Sequence, residues 1–113
     1  MGTFTYGPTS IDVTLDDRLL AHLRTVVVTK LRRGECFLFT WTDDTGPEPV
    51  EESLWMHPAV AMRFRVEKAA AESMNQDWLA VLMHAANSGF GLTTRPEPVP
   101  APGSRPGDAA KHG

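Results

Sequence analysis

Polar and apolar residues alternate from the start of the chain. Thr3-Phe4-Thr5-Tyr6 is one such run, and Ile11, Val13 and Leu15 share one side of a second, with Gly7-Pro8 between them. A period of two belongs to a half-buried strand, so the pair predicts a β-hairpin. After Leu15 the period changes. Leu19, Leu20, Leu23, Val26, Val27 and Leu31 recur at near-helical spacing and predict an amphipathic helix. Asp16 can cap it, because a short carboxylate accepts from the unpaired amides of the first turn. Asp17 adds negative charge where the helix dipole favours it. Leu15 and Leu20 stand at the spacing of a hydrophobic staple. Gly34 is the expected residue just past the end. Lys30, Arg32 and Arg33 then occupy the last turn, where unpaired carbonyls favour cations.

Alternation returns in Cys36-Phe37-Leu38-Phe39-Thr40-Trp41-Thr42, with Phe37, Phe39 and Trp41 on one face. These rings are assigned to the core under the first helix, and Cys36 is read as a small buried apolar group. An acidic loop follows over 43–52. Two more strands are predicted in Ser53–His57 and Val60–Val66, separated at Pro58. In the second, Met62 and Phe64 face one way, and Arg63 and Arg65 the other. Residues 67–73 read as helix or loop. A second helix starts at Asn75, with a stripe of Trp78, Leu79, Leu82, Met83 and Ala86. Gly89 is expected to end it, with Phe90 packing back on its last turn. Residues 91–95 add a short edge strand.

The order is β-β-α-β-β-β-α-(β). Alternating strands need one covered face, and two amphipathic helices are available. The expected fold is α+β, a mostly antiparallel sheet with both helices on one face. The domain is expected over 1–95. From Pro96 to Gly113 the chain is rich in Pro and Gly, with Val99 its one bulky aliphatic residue, and is expected to be a disordered tail.

Composition narrows the function. A chain of 113 residues supports one domain. The net charge of −3 argues against a domain dominated by phosphate contacts, although it allows a local basic patch. Cys36 is the single cysteine, so there is no internal disulfide. No apolar run approaches the roughly 20 residues of a membrane span. The start of the chain lacks the regions of a signal peptide, and Tyr6 stands where a myristoylation signal wants Ser or Thr. The expectation is a cytoplasmic protein without membrane contact.

Candidate chemistry is sparse. His22, His57, His84 and His112 match no zinc spacing with each other or with Cys36. His22 and His84 are expected in solvent, and His57, before Pro58, in a turn. The acidic loop lacks the order of a calcium site. There is no phosphate-binding glycine loop and no nucleophile elbow. No catalytic residue, cofactor or metal ligand is therefore assigned. Two candidates remain. One is the basic patch of Lys30, Arg32 and Arg33. The other is the uncovered sheet face, where Arg63 and Arg65 point out together with either Trp55, Ser53 and His57 or Leu54 and Met56. A tryptophan beside two arginines could stack bases and hold phosphates. The competing reading is a solvated face, or one covered by an unknown protein partner or in a homodimer. Of these, nucleic acid is the less favoured.

The stretches MGTFTYG, LDDRLLAHLRTVVVTKLRRGECFLFTW, LWMHPAVAMRFR and NQDWLAVLMHAANSGFGL resemble a family of short actinobacterial proteins of unknown function. Its members share M-G-x-F-x-Y-G, K-L-R-R-G-E-x-F-x-F-x-W and W-x-H-P blocks, and the resemblance spans about residues 1–95. Many carry the label "ATP-dependent DNA ligase", which implies a role in DNA repair, as an enzyme or as a ligase-associated accessory protein. Adenylation by such ligases uses the lysine of a K-x-D-G motif. Lys30, Lys68 and Lys111 have no such neighbours. The expected function is a small binding or interaction module.

Overall fold

The computed structural model of the protein describes residues 1–99. Strands β1 (Gly2–Tyr6) and β2 (Ile11–Leu15) precede helix α1 (Asp17–Arg32). Strands β3 (Phe37–Asp43), β4 (Val50–Met56) and β5 (Met62–Arg65) follow. A 3-10 turn (Lys68–Ala71), helix α2 (Gln76–Ala86) and the short strand β6 (Leu92–Thr93) complete the order, which is the expected one. Residues 67–73, open between helix and loop, thus contain a single 3-10 turn. Among the described residues no helix is long and apolar enough to cross a membrane. Most of the expected tail, residues 100–113, lies outside the described residues.

The strands do not form one sheet. They form two three-stranded sheets, β2-β1-β5 and β4-β3-β6. All pairings are antiparallel except β3 with β6. Strand β5 pairs with β1, not with β4, which precedes it in the chain. Aromatic complementarity accounts for the choice. The register sets Phe4 opposite Phe64, and their rings stack with centroids 4.8 Å apart. The inner faces of the sheets then meet. Phe4 packs edge-on against Phe39 at 6.4 Å, and Phe39 stacks on Trp41 at 5.2 Å. Helix α1 lies on β1, whereas α2 lies on β3 and β6. The rings of β3 share one buried cluster with Leu23 and Val26 of α1 and with Trp78 and Leu82 of α2.

Local signals set the helix ends. The Asp16 carboxylate accepts from the amides of Arg18 and Leu19, both at 3.1 Å. At the other end Gly34 takes a φ of 74°. Its N–H bonds to the Leu31 carbonyl, and the Glu35 N–H to that of Lys30, which closes the helix in a Schellman motif. Asn75 caps α2 through its side-chain oxygen on the Trp78 amide.

Three expected placements are corrected. Helix α2 is closed at Asn87, two residues before Gly89, and Phe90 is 87% exposed rather than packed back. The glycine in the left-handed region is Gly91, which leads into β6. Cys36 is exposed, because it precedes inward-facing Phe37 and strand alternation turns it outward. His22 is completely buried, for reasons given below.

Candidate binding groove and strand edge

Trp55 faces outward on β4, while the next residue, Met56, is fully buried. Across the ladder Trp55 meets Leu38, and the two are 59% and 37% exposed. Thr40 and Ser53 form the next pair, joined by a 2.7 Å hydroxyl bond, and Thr42 and Glu51 the one after. Thr93 of β6, level with Thr40, continues this face, and its hydroxyl accepts from the exposed Arg95 guanidinium at 3.0 Å. His57 is a turn residue, as expected. Its Nδ1 accepts from the Ala59 amide at 3.0 Å. Its own N–H donates to Tyr6 Oη at 3.2 Å, and that hydroxyl donates to the Trp55 carbonyl at 2.6 Å.

Arg63 and Arg65 also face outward, but on β5, opposite Thr5 and Thr3 of the other sheet. Of the predicted grouping, Trp55 thus stands on one sheet and Arg63 and Arg65 on the other, with His57 in the turn between β4 and β5. Alternation fixes which way each side chain points within a strand. It does not fix the sheet to which the strand belongs, and here the sheet changes after Pro58.

The basic patch also divides. Lys30 is only 7% exposed. Its Nζ donates to Asn87 Oδ1 at 2.7 Å and pairs with Glu35 at 2.9 Å, tying the end of α1 to the cap of α2. That contact holds the Glu35 carboxyl below its ordinary range. Arg32 and Arg33 remain exposed. Among the described residues Arg32, Arg63 and Arg65 form no ion pair.

Arg32 instead lines an open groove of about 370 Å³. Val28, Leu31 and Arg32 form its helix side, and Pro58, Val60 and Met62 the other. None of these side chains is a nucleophile or a general base. The lining is what an apolar side chain would displace water from. Val28 sits at the rim, 39% exposed, one step around the helix from buried Val27. The groove opens beside β5, a terminal strand of its sheet that pairs, among the described residues, only with β1.

A second constellation went unread in the sequence. The Arg18 guanidinium grips Glu97 through Nε and NH2, both at 2.9 Å, and donates from NH1 to the Ser73 carbonyl. The Asn75 side-chain amide adds a bond to Glu97 at 3.0 Å. Beneath them His22 Nε2 accepts the Asn75 amide at 2.9 Å, so the ring proton is on Nδ1 and donates to the Arg18 carbonyl at 2.7 Å. Both ring nitrogens are satisfied, which allows the imidazole to be buried against Trp78, 4.5 Å away. Trp78 Nε1 in turn donates to the Arg95 carbonyl. This is a closed structural network with no free group aimed at a ligand. It also brings Arg95 and Glu97 against both helices.

A family model described as Domain of unknown function (DUF7882) matches residues 1–97. The chain belongs to this family. No curated protein and no solved structure matches it. The DUF7882 match ends at Glu97, the residue clamped by Arg18.

The clamp has a pH signature. Arg18 first, then Asn75, holds the Glu97 carboxyl below its ordinary value of 4.5. A depressed carboxylate contributes stability that is complete above the unfolded value and is lost as pH falls through the folded one. Asp17, Glu35 and Asp43 are held low as well, so the wild-type curve alone does not isolate Glu97. Wild type should melt higher than Glu97→Gln at neutral pH, and the gap should shrink as pH falls below the ordinary carboxyl value of 4.5. A gap independent of pH would show that the pair contributes nothing as an ion pair.

Proposed function

We propose that this domain is a protein-interaction module that receives an extended segment of a partner along the outer edge of β5, with side chains entering the groove beneath α1. One observation carries the reading: a strand edge that is unpaired among the described residues runs beside an apolar groove. An exposed edge offers main-chain donors and acceptors for affinity, and an adjoining groove offers selectivity. A nucleic-acid platform is less well supported, because Trp55 and the outward arginines of β5 lie on different sheets.

Panning a displayed random-peptide library against the full chain tests the reading. The Val28→Arg variant puts a long side chain at the groove rim, and Arg is the better helix former, so the fold should be kept. Enriched peptides should bind wild type and lose at least about tenfold in affinity to Val28→Arg, close to 1.4 kcal/mol. They should be indifferent to Trp55→Ser. An empty selection, or peptides sensitive to Trp55→Ser and not to Val28→Arg, would refute the groove as the binding site.

A further inference from the structure

We infer that the segment bound by this groove joins β5 as a fourth strand and alternates acidic with apolar residues. This rests on the interaction-module reading above and adds the chemistry of the partner.

The parity of the β1–β5 ladder supplies the main-chain half of the argument. The Gly7 N–H bonds to the Ala61 carbonyl at 3.0 Å, immediately beyond the Tyr6–Met62 pair. In an antiparallel ladder hydrogen-bonded and non-bonded pairs alternate. Ala61 being bonded, Arg63 and Arg65 also direct their N–H and C=O groups at β1. Met62 and Phe64 direct theirs away from it, to the side where the sheet has no further strand among the described residues. An added strand would bond to these two residues.

Side-chain parity gives the pattern. Residues level with each other on neighbouring strands project from the same face. Partner residues level with Met62 and Phe64 project to the inner face, and the one beside Met62 meets the groove with Val28, Leu31 and Val60. These positions suit aliphatic side chains. Partner residues level with Arg63 and Arg65 project to the outer face, beside two guanidinium groups with no ion pair among the described residues. The nearest carboxylate in that row is Asp12, opposite Thr5 on the far strand and hydrogen-bonded to the Thr5 hydroxyl at 2.7 Å. Two strand spacings put it about 9.5 Å from Arg63. Acidic residues at the outer positions would supply the missing counter-charge. The same arginines disfavour a second β5 as the added strand, since like charges would face each other across the pair.

The test uses the full chain and a fluorescein-tagged nine-residue peptide alternating Glu with Val or Ile. Controls are a peptide of the same composition with the residue types in two blocks, one with Lys for Glu, and the alternating peptide N-methylated at every second amide. Anisotropy should show saturable binding of the alternating peptide alone. Arg63→Ala/Arg65→Ala should weaken it by about tenfold, as two cross-strand ion pairs are lost. The amide resonances of Met62 and Phe64 should shift on binding. No binding of the alternating peptide would overturn the inference. So would equal binding of the block or N-methylated peptide, or sedimentation showing that a second copy fills the edge. Salt-sensitive capture of a single-stranded oligonucleotide by the same arginines, in place of the peptide, would do so too. If library peptides still bind in a Val28-dependent way while the alternating pattern gives no advantage, only this inference fails. If no peptide depends on Val28, the interaction-module reading falls with it.

Discussion

Phe39→Ala should lower the unfolding free energy by about 3–5 kcal/mol, the usual cost of deleting a buried phenylalanine ring. Phe39 is 2% exposed and is where the halves of the core meet. It touches Phe4 of one sheet, stacks on Trp41 of its own, and is level with Leu54 and Leu92 on the strands either side. No single neighbour can move to fill the space, because each is anchored to a different strand. A small domain has about 5–15 kcal/mol in total, so the urea midpoint should fall steeply. Leu38→Ala, one residue away but facing outward, is the control and should cost far less. Equal midpoints for Phe39→Ala and wild type would mean that the inner face of β3 is wrongly assigned.

Gly91→Ala should be the next most damaging change. Gly91 has a φ of 83°, where a side chain strains the backbone by about 1–3 kcal/mol. A Cβ there would also fall on the Leu38 carbonyl oxygen, within the strand that β6 must join. The two effects can be separated. Gly7 has a φ of 81° but open space around it, so Gly7→Ala reports the backbone effect alone. Gly89 has neither feature, and Gly89→Ala should change stability by less than about 0.5 kcal/mol. Denaturation of the three variants should rank Gly91 worst, then Gly7, then Gly89. Equal losses at Gly91 and Gly7 would show that β6 yields to the extra carbon.

Features set by residues a few positions apart were legible in the sequence. Asp16, Gly34 and Asn75 cap their helices as read, because capping is chemistry within one turn. The partition into two sheets was not legible, because it depends on Phe64 meeting Phe4, 60 residues earlier. His22 was misjudged because a polar residue off the apolar stripe is ordinarily solvated. Its burial requires the Asn75 amide, which another element supplies. Lys30 was misjudged for the same reason, its partner Asn87 lying beyond the reach of local pattern. The outward direction of Arg63 and Arg65 followed from alternation, but the groove beside them joins residues from positions 28 and 62.

The pairing of β1 with β5 has a further consequence. The first sheet closes over residues 2–65 and the second over 37–93, so their spans interleave along the chain. No single cut leaves either sheet whole on one side and the other whole on the other. Neither half is a candidate for autonomous folding, and a chain emerging from the ribosome cannot complete its second sheet until Thr93 is free. Calorimetry should accordingly give one transition whose van't Hoff and calorimetric enthalpies agree. Fragments split within the β4–β5 connection should regain structure only when mixed, each supplying strands to both sheets of the other.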